Sequence, residues 1–346
     1  MPDFKSINQP FSNTINIDGN SYLYFGGTAY LGIPQNQDFI NLYIEGIKKF
    51  GLNNGTSRTN NIQLGIYDEA ERVAAVRYGA EAALITSSGY LAAQLTVKAL
   101  SVSGKVIYAP ATHPALWLTD QPAHQQAFKD WKKETVSLIN TAEEKTWVLV
   151  SNSMNNLVPE IYDFDFVKEI RSDKNIILVV DDSHGIGVNN NGMGVIVNLS
   201  KQENIENVVV ASMAKALGVD AGIVLASSKI IDKLKSTNTF IGASPPSPAA
   251  LYAFIHAEDI YNKALNKLKN NMAVFEKALN LTWKFEWDFP VYLPGAANFS
   301  QRLLQKQILI SSFPYPNPTD EILNRIVLSA WHEKEDIKKL IAAINF

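Results

Sequence analysis

Between about residues 65 and 230, short apolar runs rich in Val, Ile and Leu alternate with stretches whose apolar positions recur every three or four residues. That alternation predicts strands joined by helices in a mainly parallel α/β sheet. The predicted strands are Ala82–Ile85, Lys105–Tyr108, Trp147–Ser151, Ile176–Asp181, Val208–Ser212 and Gly222–Ala226. Being apolar on both faces, they belong in a sheet covered by helices on both sides. The first follows a predicted helix in which Ile66, Ala70, Val73 and Val76 share one face and Gly79 supplies the stop. A Pro/Ser-rich elbow at 243–248 marks a domain boundary and precedes a long helical pattern from about Ala249 to Leu279. Beyond it, strands near Phe289–Leu293, Ile308–Ser312 and Arg325–Ser329 predict a small α+β lobe. A closing helix carries Ile337, Leu340, Ile341 and Ile344 on one stripe.

The 346 residues, 46% of them apolar, suffice for two linked lobes around a sizeable core. A charged fraction of 19% and a net charge of −3 exclude a disordered chain and give no reason to expect nucleic-acid or anionic-membrane binding. Cysteine is absent, which removes disulfides, thiolate zinc sites and cysteine nucleophiles from consideration. The N-terminus lacks the apolar core of a signal peptide, and nowhere do eighteen uncharged apolar residues run together, so a soluble cytoplasmic protein is expected.

The candidate chemistry sits at predicted strand ends. Ile176–Asp181 ends in Asp181-Asp182-Ser183-His184, and in an open parallel sheet ligands bind beyond the carboxyl ends of the strands. Asp181 could equally cap the following turn and His184 be a solvated loop residue. Asp181, Asp182 and His184 could also hold a divalent metal. No GxxxxGK[ST] loop accompanies them, and His113, His124, His256 and His332 do not sit at helical ligand spacing, so no metal is expected. Val208–Ser212 runs into Met213-Ala214-Lys215, a lone lysine among small apolar neighbours. Desolvation there would lower its pKa toward the range an imine-forming amine needs, whereas snorkelling to solvent is the plain alternative. Thr86-Ser87-Ser88-Gly89-Tyr90 joins a strand to a helix start, where hydroxyls and free N–H groups make an anion site; alone, such a segment is also an ordinary N-cap.

Taken together, the cradle at 86–90, the acid at 181 and the amine at 215 resemble the fold-type-I pyridoxal 5′-phosphate (PLP) enzymes, and within them the α-oxoamine synthase family. Tyr22 to Gly32 is similar to "YLNFSSNDYLGL", Asn54 to Arg58 to "GGSR", and Glu81 to Ala93 to "EAALLFSSGYAAN". Asp181 to Gly187 follows "DEAHSTG", Ser212 to Gly218 follows "TLSKALG", and Arg325 to His332 reads like "LRISLSAAH". The resemblance implies a large PLP-binding domain over 36–242 with a mainly parallel sheet covered by helices. It also implies a small C-terminal α+β domain over 243–346 and an N-terminal segment, 1–35, packed on the latter. It makes Lys215 the Schiff-base lysine, Asp181 the partner of the pyridine nitrogen and His184 a neighbour of the phenolic oxygen. His113 would be the imidazole stacked on the ring, and Ser153, in a segment resembling "FSMDGD", would lie beside the cofactor. Ser88, Gly89, Tyr90 and Ser212 would hold the phosphate, with Arg325 and Thr28 on the substrate side and Arg325 clamping a carboxylate.

The reaction so implied joins a small amino acid to an acyl thioester, carried by coenzyme A or an acyl-carrier protein, with loss of carbon dioxide, giving an α-amino ketone in a homodimer. An aminotransferase or a retro-aldol enzyme on the same fold is the first alternative, and a metal-dependent hydrolase built on Asp181, Asp182 and His184 the second. Thr28 and Ala29 replace the motif's Asn-Asp pair. By the resemblance, much of the family's N-terminal helical extension, which helps shape the acyl-chain entrance, is expected to be missing.

Overall fold

The computed structural model describes residues 4–119, 122, 126–155, 157–295, 298–314 and 319–345; His124 lies outside them. Two strands come first, β1 (Thr14–Ile17) and β2 (Asn20–Phe25), then helices α1 (Gln37–Phe50) and α2 (Ile66–Tyr78). There follow β3 (Ala82–Thr86), α3 (Gly89–Leu100), β4 (Lys105–Tyr108), α4 (Phe128–Thr141) and β5 (Thr146–Asn152). A short hairpin, β6 (Met154–Asn155) with β7 (Glu160–Ile161), precedes β8 (Asn175–Asp181), β9 (Ile205–Ser212) and β10 (Gly222–Ala226).

These strands build a six-stranded sheet in the order β3-β10-β9-β8-β5-β4. Neighbours from β4 to β9 pair in parallel, whereas β10 runs antiparallel to both β9 and β3. The link 213–221 is too short for the crossover a parallel return requires, so the chain turns back directly. Alternation along the strands divides their side chains between two apolar clusters, Leu178 and Val180 on one face and Val179 on the other, all at 0% exposure. Each such side chain contributes roughly 1.5–3 kcal/mol by leaving water. Thr86, Asn152, Asp181 and Ser212 therefore end at one edge, where Gly222 begins β10 opposite Thr86 and Ser212.

After α5 (Ser228–Lys235) and α6 (Asn238–Ile241), the expected single helix from Ala249 to Leu279 is two, α7 (Pro248–His256) and α8 (Glu258–Glu276), broken at Ala257. Val76, assigned to the core face of α2, is 74% exposed. The rest of the chain contains β11 (Lys284–Phe285), β12 (Val291–Leu293), α9 (Phe299–Leu304), β13 (Ile308–Pro314), β14 (Ile322–Val327) and α10 (Lys334–Ile344). The second sheet has the order β1-β2-β13-β14-β12-β11, so the N-terminal strands join the C-terminal ones through the parallel pair β2 and β13. β14 stops two residues short of Ser329: Leu328 N–H still bonds to its register partner Pro290, which has no N–H to return, and Ala330 N–H turns to the Tyr30 carbonyl. That last bond ties the strand's exit to the turn after β2.

Candidate active site

The end of β8 separates its two aspartates. Asp181 accepts the Ser183 N–H at 2.9 Å, and the Ser183 hydroxyl accepts the Ser212 N–H at 2.8 Å, joining the ends of β8 and β9. Asp182 turns the other way: it is 2% exposed, its carboxyl accepts the Val195 N–H at 2.7 Å, and burial raises its pKa to about 7. A Cβ on Gly185 or Gly194 would lie 2.1 Å from one of its oxygens, so the loop closes on this side chain. Asp181, Asp182 and His184 thus fail to converge, and no group of three or more potential metal ligands exists among the described residues. Ser153 is buried with its hydroxyl beside Asp182.

Lys215 is half-buried, and its Nζ lies 3.0 Å from His184 Nε2. His184 Nδ1 is 2.7 Å from the hydroxyl of Tyr30, a residue at 0% exposure. Burial pushes the Lys215 pKa down, against the opposing pull of Asp181, and Arg325 adds to the fall. Burial also holds His184 well below its ordinary value, helped by Lys215 and Arg325, and raises Tyr30 far above its own. With a neutral amine, the chain is satisfied when Tyr30 donates to Nδ1 and Nε2–H donates to Lys215, as it is in the reversed tautomer.

Arg325, on β14, is 6% exposed rather than on the surface. Its Nε and Nη2 groups are buried without a hydrogen-bond partner, and burial lowers its pKa while the adjacent Tyr30 opposes that fall. A buried guanidinium with open donors is costly, and a carboxylate accepting two N–H bonds is the ligand that relieves it. Thr28 is half-buried in the turn that delivers Tyr30, whose N–H bonds to the Thr28 carbonyl.

Ser88 is the N-cap of α3, its hydroxyl accepting the Leu91 N–H at 3.1 Å. The N–H groups of Gly89 and Tyr90 are left without intrahelical acceptors. A Cβ on Gly89 would fall 2.5 Å from Ser212 Cβ, and one on Gly222 2.1 Å from the Ser88 carbonyl oxygen. Only glycine lets the helix start, β9 and β10 approach so closely, and the result is a cradle of N–H groups with the Ser212 hydroxyl beside it. Tyr90 itself is 63% exposed.

His113 follows β4 in an exposed loop, yet it senses the same group: burial lowers its pKa, Asp181 opposes and Lys215 adds. Its Nδ1 accepts the Ala115 N–H at 3.2 Å. Asn152, at the end of β5, bonds to both Ala111 and His113. The structure therefore brings Asp181, His184, Lys215, His113 and Arg325 together and adds Tyr30 and Asn152, which sequence reasoning missed. Tyr30 lies inside the similar stretch Tyr22–Gly32, which is the one signal that could have singled it out. His332 belongs elsewhere: fully buried, it accepts the Ser329 N–H at 3.0 Å and contacts the Tyr24 carbonyl at 2.8 Å.

A model of the family described as aminotransferase class I and II matches residues 36–344. The chain is 26% identical over 352 residues to 8-amino-7-oxononanoate synthase of Petrotoga mobilis, covering 93% of this chain and 87% of the relative. It is 23% identical over 352 residues to the protein of that name from Thermosipho melanesiensis, covering 96% and 90%. Its fold is similar to serine palmitoyltransferase of Sphingomonas wittichii, with a TM-score of 0.81 and 18% identity over 98% of this chain and 90% of that one. A serine palmitoyltransferase structure described as containing PLP superposes with a TM-score of 0.80, 18% identity and the same coverage. The fold is that of the fold-type-I PLP transferases.

Proposed function

The chain belongs to the class I and II aminotransferase family, and on that premise we propose that it is a PLP-dependent acyltransferase of the α-oxoamine synthase kind. It condenses a small amino acid with an acyl thioester, on coenzyme A or an acyl-carrier protein, and releases carbon dioxide to give an α-amino ketone. The names of its relatives support the reading. The observation that carries it is the Lys215 amine, desolvated at a strand end, 3.0 Å from a neutral imidazole and under the field of Asp181.

The residues present fit the cofactor. The Gly89–Ser212 contact forms a cradle suited to a phosphate, Asp181 to a protonated ring nitrogen, and the desolvated amine to an aldehyde. Lys215 would hold the aldehyde end, Asp181, His113 and His184 the ring, and Ser88, Gly89, Tyr90 and Ser212 the phosphate, whereas the buried Ser153 hydroxyl lies on the Asp182 side. Bound PLP supplies an electron sink for negative charge at the amino acid's α-carbon. Burial weakens the hold of Lys215 on a proton, which suits it to take the α-proton and return it. His184 orients that amine through Nε2, and Tyr30 holds the His184 ring through Nδ1. Arg325, with two buried donors open, fixes the substrate carboxylate, and Thr28 lies near this substrate side. The proposal includes a cytoplasmic homodimer. The exposed apolar side chains of Leu52, Ile62 and Tyr90 support a subunit interface. Among the described residues no helix is long and apolar enough to cross a membrane.

The purified protein should be yellow, and borohydride should fix a pyridoxyl group on the peptide containing Lys215. Thiol release from an acyl thioester should depend on a small amino acid and be matched by carbon dioxide. A colourless protein that stays unlabelled with added PLP would end the reading; keto-acid formation without carbon dioxide would replace it by transamination.

A further inference from the structure

We infer that Asn152 is a positioning residue of this site, acting through the imidazole of His113; the inference rests on the functional reading just given. Asn152 is the last residue of β5, in register with Asp181 on β8, so it stands at the chemical edge of the sheet while its side chain is 8% exposed. Its Nδ2 donates to the Ala111 carbonyl at 2.6 Å, and its Oδ1 accepts the His113 N–H at 3.0 Å. Both bonds span about forty residues and close on either side of one turn.

That turn needs holding. Ala111 has φ +54, a left-handed conformation that is unfavourable for a residue with a Cβ. The farther part of the loop is secured separately: Gln94 donates to the Ala115 and Trp117 carbonyls at 2.8 Å, and Trp117 Nε1 donates to the Thr112 hydroxyl at 3.0 Å. None of these holds the Ala111 carbonyl or the His113 N–H, and Asn152 holds both. With the backbone fixed, Ala115 N–H donates to His113 Nδ1, which sets the ring plane and leaves the proton of the neutral imidazole on Nε2. The ring so fixed is under the fields of Asp181 and Lys215, so the clamp reaches the site. Only a primary amide supplies a donor and an acceptor at this reach. Aspartate offers the acceptor alone, leucine neither, and the phenylalanine of the "FSMDGD" motif, which this segment resembles, neither as well.

The test is a double-mutant cycle on the holoenzyme, with PLP as the titrated probe. Asn152→Leu should weaken PLP binding about tenfold and alter the visible circular dichroism of the bound cofactor. In a His113→Ala background the same substitution should cost nothing more, since contacting groups are non-additive. In the cofactor-free protein, the His113 ring nitrogen signals should change from one tautomer toward an exchanging mixture in Asn152→Leu, and Asn152→Asp should be intermediate. An equal loss of PLP affinity with and without the His113 imidazole, or unchanged His113 ring signals, would overturn the inference. Should Asn152→Leu not fold, Asn152→Asp carries the same cycle with a smaller expected loss of about threefold. A wild-type protein that binds no PLP would overturn the functional reading itself, a result distinct from any behaviour of the variants.

Discussion

The chain of groups Tyr30–His184–Lys215 is where single atoms decide the chemistry. Each link is short, 2.7 and 3.0 Å, and each group is shifted in the sense that favours its neutral form. Removing the Tyr30 hydroxyl would leave His184 Nδ1 buried without a partner. An unsatisfied buried polar group costs about 1–3 kcal/mol, so Tyr30→Phe should lower kcat roughly tenfold or more while PLP remains bound. Spectral titration of the holoenzyme and steady-state rates check this. Unchanged kcat would mean that His184 does not depend on Tyr30. Asp181 and Lys215 could be read from sequence because each lies where a strand stops, a local signal. The Tyr30–His184 contact joins positions 154 residues apart, and only folding shows it.

Whole elements set the cradle and the lock on the second sheet. α3 can start against β9 only because position 89 lacks a Cβ, so Gly89→Ala should push the helix N-terminus away from Ser212. A loss of PLP affinity exceeding tenfold is expected with the far-ultraviolet circular dichroism retained; an unaltered dissociation constant would remove this segment from the cofactor site. At the exit of β14, burial lowers the His332 pKa to about 4, below its unfolded value of about 6.5. The unfolded chain then binds the proton first, so stability is complete above pH 6.5 and falls as the pH drops toward 4, by roughly 3 kcal/mol from this group. Asp182 acts oppositely: its raised pKa makes the folded state hold the proton, so its contribution shrinks as the pH rises from 4 to 7. Replacing His332 by Asn should flatten the acid limb of a urea-unfolding series and leave the Asp182 slope. The six strands of the central sheet were legible because their apolar runs are bounded by turn residues. The reversal of β10 was legible in principle from its short link, whereas the break at Ala257 carries no Gly or Pro to announce it.

At the scale of the molecule, the site is assembled from both sheets. The large sheet supplies Asp181, His184 and Lys215, while the turn after β2 and the strand β14 supply Tyr30 and Arg325. Ser329 donates to the Ala29 carbonyl at 2.6 Å and Ala330 N–H bonds to Tyr30, so the proposed substrate side is pinned by contacts between residues 300 apart. Strand pairing across such a distance leaves no periodic trace, so this closure of chain start on chain end is not legible in composition or periodicity. Arg325 sits at the junction as a buried cation with open donors, an arrangement that costs stability until an anion arrives. Replacing it by an apolar side chain should therefore separate function from folding. In Arg325→Leu, the melting temperature of the amino-acid-free protein should stay equal or rise, while amino-acid affinity falls about a hundredfold and PLP affinity hardly moves. Hydrogen exchange gives the spatial counterpart: adding the amino acid should slow exchange at Ala29–Leu31 and Leu328–Trp331 in the wild type and not in the variant. A variant that melts well below the wild type, or keeps its amino-acid affinity, would make Arg325 a structural cation rather than the group awaiting the substrate carboxylate.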